Sequence, residues 1–112
     1  MFRIATVCSV LLFACASQVQ AQSIAGNWRT PKGSIARIAK CGGAWCITLV
    51  SGKHKGRRIG RMSGGGANYK GTITDPENNK TYSGSATVKG RSLSMSDCVM
   101  GIFCRSQTWR KR

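Results

Sequence analysis

Cysteines are the residues whose spacing says most about the chemistry open to this 112-residue chain. Cys41 and Cys46 enclose four residues, and Cys98 and Cys104 enclose five. The shorter spacing falls in the range of zinc sites, but the longer one does not, and His54 is the single histidine available to complete a ligand set. We therefore expect disulfides, with no metal centre and no histidine-activated catalytic thiol.

Four cysteines allow three pairings. Local bridges, Cys41–Cys46 and Cys98–Cys104, are favoured because each pair can face across a short hairpin loop. On the chain-entropy model each short loop contributes about 2 kcal/mol, whereas long-range pairing would contribute roughly 4 kcal/mol. Loop geometry favours the local bridges and this energy term weakly favours the long-range ones; we give geometry the greater weight and predict the local bridges, while the other pairings stay open.

Acid–base side chains are scarce. Asp75, Glu77 and Asp97 are the only carboxylate residues, and the first two flank a proline in a turn, where aspartate commonly bonds to its own backbone. His54 lies in a glycine-rich stretch with no Gly-x-Ser-x-Gly motif near it. These features predict a protein that is not an enzyme, with no catalytic residues and no cofactor.

The N-terminus has the layout of a secretory signal. Arg3 precedes the uncharged, mostly apolar run Ile4–Ala16, and Val19-Gln20-Ala21 provides a cleavage site. As a helix the apolar run is about 20 Å long, too short for a bilayer core of roughly 30 Å. We expect cleavage after Ala21, one domain over residues 22–112 without a transmembrane span, and a periplasmic or secreted location.

An alternative outcome of export is a lipid anchor. Leu12-Phe13-Ala14-Cys15 partly resembles a lipoprotein cleavage box, which would tether the protein at Cys15. Phe13 is bulky where such boxes prefer a small residue, so ordinary cleavage after Ala21 is favoured. That cleavage would also remove Cys8 and Cys15, leaving four cysteines.

The chain is strongly basic, with 18 Lys and Arg residues against three acids and a formal net charge of +15. Such a charge favours contact with anionic polymers or an anionic envelope surface, although a solvated basic loop is the simpler interpretation. Sequence-specific nucleic-acid recognition is not expected, because the chain has no recognition motif. The candidate anion-binding residues lie in the glycine-rich stretch 51–68 and are Lys53, Lys55, Arg57, Arg58 and Arg61.

Short alternating runs predict β-strands, and no window has helical periodicity with caps. The stretch 51–68 shows no clear strand. Short strands at this spacing indicate an all-β sandwich or barrel. The predicted strands cover residues 34–40, 47–50, 69–74, 81–89, 92–96 and 105–110.

Several motifs, in order, resemble the bacterial exported family catalogued as domain of unknown function 2147. They are Gly26-Asn27-Trp28, Cys41-Gly42, Trp45-Cys46, Gly71–Pro76, Lys80–Gly84 and Cys98 through Cys104 to Arg110. The resemblance implies a small antiparallel lipocalin-like β-barrel with no established activity. The family's middle region is usually longer than the one here, so the strand number and any interior cavity stay open.

Gly-x-Trp at the start of a first strand also resembles the opening of lipocalins, in which an indole plugs one end of the barrel. A cation from the last strand would stack on that ring, and Arg110, or otherwise Arg105, is the expected partner of Trp28. The predicted structural core therefore comprises Trp28, Tyr82, Trp109 and Arg110.

Two functions follow as hypotheses. The first is a non-catalytic exported module that binds a small apolar or amphipathic ligand in the barrel mouth or associates with the envelope. The alternative is an electrostatic binder of anionic polymers or the anionic envelope, acting through the basic loop and the tail Arg110–Arg112. A stable envelope protein without any ligand is a third possibility.

Overall fold

The computed structural model describes residues 23–100 and 102–112. The predicted signal peptide, with Cys8, Cys15 and the cleavage site, therefore lies outside the described residues. Eight β-strands run through the described part of the chain. They are β1 (Gly26–Arg29), β2 (Ile35–Cys41), β3 (Ala44–Leu49), β4 (Arg58–Gly65), β5 (Asn68–Asp75), β6 (Lys80–Lys89), β7 (Ser92–Val99) and β8 (Phe103–Lys111).

Each strand pairs antiparallel with the next, and β8 returns to β1, so the sheet closes into an up-and-down barrel. This confirms the predicted all-β, lipocalin-like barrel. The eight strands equal the number in lipocalins, so the short middle region removes no strand. No helix in the described residues is long and apolar enough to cross a membrane.

Strand β4 lies in the stretch that showed no clear strand in the sequence. The register shifts between Ile47 and Thr48 of β3, so that an extra residue of β4 lies opposite them. As a result Ile59 and Gly60 are buried in succession. Such a β-bulge breaks the two-residue alternation by which a strand is recognised in a sequence.

Side chains from all eight strands alternate between the barrel interior and its surface. The buried interior is mainly aliphatic and aromatic, and it fills the barrel from its centre towards the end where β1 begins. Its members are Ile24, Trp28, Ala36, Ile38, Ile47, Leu49, Ile59, Met62, Tyr69, Ala86, Val88, Leu93, Met95 and Trp109.

Two paired glycines make room for this packing in the barrel centre. Gly71 of β5 lies directly opposite Gly84 of β6. A Cβ atom at Gly71 would overlap the backbone of Arg61, and one at Gly84 would overlap the side chain of Ile73. The absence of side chains at these two positions lets neighbouring strands and the aliphatic interior approach closely.

The meander gives the barrel two distinct ends. The closed end carries the β2–β3, β4–β5 and β6–β7 turns, the start of β1 and the end of β8. The mouth carries the β1–β2, β3–β4, β5–β6 and β7–β8 connections. Because the strands alternate in direction, segments adjacent in sequence are distributed to opposite ends.

Candidate functional site

An indole plugs the closed end. Trp28 is fully buried, and its Nε1–H donates a hydrogen bond to the carbonyl oxygen of Ile24 at 2.9 Å. The ammonium of Lys111 lies 4.7 Å from the centroid of the Trp28 ring. The same ammonium donates to the carbonyl oxygen of Ala25 at 2.7 Å. This cation–π contact and the hydrogen bonds hold the N-terminal segment across the barrel end.

The predicted partner of Trp28 was wrong. Alternation along β8 turns Trp109 and Lys111 inward and Arg110 outward. Arg110 is exposed and donates to the hydroxyl oxygen of Ser92 at 2.7 Å, so it belongs to the barrel surface and not to the core. Arg105 lies near the mouth, far along β8 from the indole.

The two other predicted core aromatics differ from each other. Trp109 is buried, and its Nε1–H donates to the Oε1 atom of Gln107 at 2.7 Å. Tyr82 is half-buried and faces a cleft at the mouth. Its inward position on β6 opposite Ile73 lies beyond the filled part of the interior, so its ring lines a wall of that cleft.

The cleft is open and has a volume of about 530 Å³. It lies between the β5–β6 turn and the β7–β8 hairpin, and it combines apolar and charged side chains. The residues lining it are Asp75, Asn78, Tyr82, Val99, Ile102, Phe103, Cys104 and Arg105.

An ion pair lies at the polar side of the cleft. Asp97 is 6% exposed, and its carboxylate accepts a hydrogen bond from the Arg105 guanidinium at 3.1 Å. This bond and the attraction of the carboxylate raise the pKa of Arg105 above its usual value. The Arg105 side chain is 70% exposed, so its remaining N–H donors are free to meet an anionic group at the mouth.

The apolar side of the cleft belongs to the tip of the β7–β8 hairpin. Val99, Met100, Ile102 and Phe103 are exposed large hydrophobic residues. Sequence reasoning treated this segment as a disulfide loop and missed its exposed apolar side chains as a candidate site. Its apolar composition between two cysteines was the available signal, since a polar loop is the usual choice in a surface hairpin.

Both predicted disulfides are present, Cys41–Cys46 and Cys98–Cys104. Cys98 and Cys104 lie directly opposite each other in the β7–β8 ladder, at the base of the apolar tip. Cys41 and Cys46 are diagonal neighbours, because the β2–β3 turn consists of Gly42 and Gly43 alone. The Cys98–Cys104 bridge braces the mouth, and the Cys41–Cys46 bridge braces a hairpin of the closed end.

The five candidate anion-binding residues are exposed to different extents and have different partners. Lys53 pairs with Glu77 at 3.4 Å, and Arg57 donates to the Oδ1 atom of Asn79 at 2.5 Å. Arg61 lies on the outer surface of β4, 3.7 Å from the Cys41 sulfur. These three cations therefore contact other parts of the barrel. Arg57 is half-buried, and the other four candidate residues are exposed.

A hydrogen-bonded contact joins two loops of the mouth. The Nε2 atom of His54 lies 2.8 Å from the Oε2 atom of Glu77. This hydrogen bond, together with the bond and charge of Lys53, lowers the pKa of Glu77 below its ordinary value. The β3–β4 loop is thus packed on the β5–β6 turn, where the sequence had suggested a solvated loop.

The basic loop and the basic tail lie at opposite ends of the barrel. Lys53 and Lys55 belong to the mouth, whereas the tail continues β8 at the closed end. There the tail meets the β6–β7 turn: the Lys111 N–H donates to the Arg91 carbonyl oxygen at 2.8 Å, and the Arg91 guanidinium donates to the Lys111 carbonyl oxygen at 3.3 Å. We call Lys89, Arg91, Arg110, Lys111 and Arg112 the basic rim.

Metal-binding and side-chain acid groups are sparse around these features. Within residues 23–100 and 102–112, no group of three or more histidine, cysteine, aspartate or glutamate side chains is arranged to hold a metal ion. All three side-chain carboxylates of the chain lie towards the mouth: Asp75 ends β5, Glu77 follows it, and Asp97 is near the end of β7. None lies at the basic rim.

The fold and the site define a small, closed, lipocalin-like β-barrel with one plugged end and a cleft at its mouth. A family model described as an uncharacterized protein conserved in bacteria, DUF2147, matches residues 57–111. This match confirms the family that the motifs indicated, over β4 to β8; the motifs at Gly26–Trp28 and Cys41–Cys46 precede the matched range. Comparison with curated proteins and with solved structures found no significant match.

Proposed function

We propose that this protein is a non-catalytic, exported barrel that binds a small amphipathic ligand at its mouth. The observation that carries the proposal is the cleft of about 530 Å³, whose walls are apolar on the hairpin side and carry two charged residues, Arg105, which pairs with Asp97, and Asp75. Ligand sites in proteins are concave and combine apolar walls with a few placed polar groups. The mouths of small barrels are among the places where such sites occur.

The residues of the cleft favour an anionic head group with an apolar body. Arg105 keeps donors exposed to solvent after pairing with Asp97. Ile102 and Phe103 are 73% and 70% exposed, so covering them with a ligand would remove apolar surface from water. A fatty-acid-like molecule has the two parts that these two sides of the cleft would contact.

The absence of catalysis is part of the proposal. It is supported by how the chain's few acid–base groups are used: Asp97 pairs with Arg105, and Glu77 with Lys53 and His54. The Asp75 carboxylate accepts a hydrogen bond from the Glu77 backbone N–H at 2.8 Å. Each carboxylate thus serves a structural contact.

Export is supported by the two disulfides. Disulfides persist in oxidising compartments outside the cytoplasm, and small exported domains use them to brace limited cores. Together with the signal-like residues 1–21, they favour an exported protein, and the bulky Phe13 before Cys15 favours cleavage after Ala21 over a lipid anchor. The N-terminus and mass of the exported form would test this: a chain beginning at Gln22 is expected, and an acylated Cys15 would contradict it.

Ligand binding is tested by titrating the ¹⁵N-labelled protein with dodecanoate below its micelle concentration. Saturable amide shifts are expected around Tyr82, Ile102 and Phe103. Phe103→Ser should weaken binding about tenfold, because it removes an apolar wall of the cleft. Met100→Ser is the matched control on the same hairpin, since Met100 is 84% exposed and does not line the cleft.

Two outcomes would count against a mouth ligand. One is the absence of saturable shifts with dodecanoate and with its neutral analogue dodecanol. The other is an equal loss of affinity in Phe103→Ser and Met100→Ser, which would mean that the hairpin adsorbs apolar molecules without using the cleft.

The basic rim supports a second candidate function, the binding of an anionic polymer or the anionic envelope. Five cations lie together there, and the chain's side-chain carboxylates are at the other end. An anionic partner docking on the closed end would meet no like charge from a side chain. The tail supplies three of these cations, as the sequence suggested, but the β6–β7 turn, not the basic loop, supplies the others.

Heparin retention separates the two basic regions. Arg91→Gln with Arg112→Gln should lower the salt concentration needed for elution more than Lys53→Gln with Lys55→Gln, which removes the same charge at the mouth. The retention of the unmodified protein should fall steeply with salt, because binding releases counterions. Equal effects of the two double variants would indicate attraction to overall charge without a rim site.

A further inference from the structure

Among the described residues, one edge of strand β8 has no partner strand over most of its length. The ladder between β1 and β8 consists of two residue pairs, Trp28 with Lys111 and Arg29 with Arg110. The ladder between β7 and β8 is much longer and runs from Ser92 with Arg110 to Val99 with Phe103. Beyond Arg110, towards the mouth, β8 therefore pairs on one side only. Residues 103–108 are all exposed.

The backbone groups on this free edge follow from the alternation of the ladder. Lys111 donates its N–H towards the β7 side, to Arg91, and Arg112 donates towards the β1 side, to Asn27. The Cα atoms of Cys98 and Cys104 are 4.0 Å apart, as in pairs that exchange no backbone hydrogen bonds. Even-numbered residues of β8 thus point their N–H and C=O groups away from β7.

Cys104, Ser106 and Thr108 consequently present their backbone donors and acceptors at the free edge. No backbone group of the described β1–β2 connection forms a hydrogen bond with them. The Thr30 N–H donates to the Ser34 carbonyl oxygen, and the Gly33 N–H donates to the Thr30 carbonyl oxygen, so both bonds stay within that connection. An exposed edge of five residues, 104–108, is about 17 Å long and can form a ladder with an added strand.

Two like charges mark the point where β1 and β8 separate. Arg29 and Arg110 lie directly opposite each other on the outer surface, where like charges destabilise a strand pair. Arg29 donates weakly to the Gly33 carbonyl oxygen at 3.4 Å, and Arg110 donates to the Ser92 hydroxyl. Neither guanidinium has a carboxylate partner among the salt bridges of the described residues.

We propose that the free edge of β8 binds a short extended segment of an acidic partner protein by strand addition. The segment pairs with residues 104–108, in line with β1, and a carboxylate near its end neutralises Arg29 and Arg110. Main-chain hydrogen bonds supply most of the affinity in this mode, and the flanking charges select the partner. The site adjoins the mouth cleft, because Cys104 and Arg105 belong to the edge and also line the cleft, but it uses backbone groups on the side of β8 that faces away from β7.

An acidic partner fits this edge better than a second copy of the chain. A formal charge of +15 makes two copies repel each other, and pairing two β8 edges would bring both Arg29–Arg110 pairs close together. An acidic segment instead removes the like-charge conflict already present at the end of the β1–β8 ladder.

The test uses the oxidised protein and a fluorescein-labelled heptapeptide of alternating glutamate and valine, followed by fluorescence anisotropy. Ser106→Pro is the diagnostic variant, since it removes an edge N–H without touching the ladder to β7. Binding should fall at least tenfold in Ser106→Pro and less than twofold in the matched control Ser106→Ala. Unchanged thermal unfolding of both variants would show that the barrel is intact.

Charge selection is tested with the same peptide carrying lysine in place of glutamate, and with Arg29→Gln and Arg110→Gln. The lysine peptide should bind at least tenfold more weakly, and each arginine variant should lose about threefold for the glutamate peptide. Equal binding in Ser106→Pro, or equal binding of the two peptides, would overturn the proposal. So would a dimer in sedimentation that Ser106→Pro converts to monomer, because the occupant would then be a second copy.

Discussion

The two ends of this barrel differ in how far their side chains are buried and in how many contacts they make within the protein. At the closed end, Trp28 is fully buried, and Lys111 satisfies its ammonium on the Trp28 ring and the Ala25 carbonyl oxygen. At the mouth, Phe103 and Arg105 remain largely exposed. The closed end is therefore closely packed, and the mouth leaves apolar and charged side chains exposed to solvent.

The same contrast holds for charge. Every side-chain carboxylate lies towards the mouth and is engaged there, whereas the basic rim at the closed end has none. The negative side-chain charges of this molecule, whose net charge is +15, are therefore confined to one end of the barrel axis. The proposed docking of an anionic partner on the basic rim would leave the mouth turned away from that partner.

The largest expected effect is at the plug. Trp28→Ala should lower the free energy of unfolding by about 3–5 kcal/mol, because it removes a fully buried aromatic ring and its hydrogen bond to Ile24. Phe103→Ala at the mouth is the matched aromatic truncation and should change stability by about 0.5 kcal/mol or less. Urea unfolding of both variants measures the difference. Similar losses of unfolding free energy would show that the closed end contributes no more to stability than the mouth.

The two disulfides provide the next comparison. Replacing either pair by serine should lower stability by about 2 kcal/mol, since both close short loops. Only Cys98→Ser with Cys104→Ser should also weaken dodecanoate binding, because that bridge braces the cleft wall. Cys41→Ser with Cys46→Ser serves as control, and a loss of binding in this variant would argue against a local role for the mouth bridge.

A smaller effect is expected for the cation on the plug. Lys111→Met keeps the apolar stem but removes the ammonium, and it should lower stability by about 1 kcal/mol. Lys89→Met, on the exposed outer surface of β6, should have almost no effect. Thermal unfolding at matched salt compares them, and equal shifts in the two variants would refute the cation–π role.

The smallest effect concerns acidification at the mouth. The pKa of Glu77 is lower in the folded protein than its ordinary value of 4.5, through its bonds to His54 and Lys53. Ionised Glu77 therefore stabilises the loop contact above pH 4.5, and this contribution is lost as pH falls through the lower folded-state pKa. Amide shifts in residues 53–57 should report the loss, and Glu77→Gln should remove this pH dependence.

Local patterns predicted much of the fold correctly. The structure contains the strands predicted from the alternation along β6 and β7 and from the turn at Asp75–Asn79. These patterns were readable because strand alternation and turn formation depend on residues that are neighbours in the sequence. Strand β4 was missed because its bulge places Ile59 and Gly60 in the interior in succession. The bulge is produced by pairing with β3, and its position is not encoded in β4 alone.

Of the candidate sites, those that depend on a single hairpin were predicted best. Cys98–Cys104 follows from two strands joined by a short loop. The partner of Trp28 was misassigned by one residue, and in a strand one residue is the difference between the interior and the surface. The cleft, the basic rim and the free edge of β8 join segments far apart in sequence, so spacing could not reveal them.

The sequence by itself determined the all-β class, the sign of the charge, the cysteines that bridge and the aromatic residue that plugs the barrel. These follow from local alternation, composition and short loops. Only the tertiary structure decided that the basic loop and the basic tail lie at opposite ends, that Lys111 caps Trp28, and that β1 pairs with only two residues along its edge of β8. The physical reason is barrel closure, since the register between the first and last strands is set by the shape of the whole sheet.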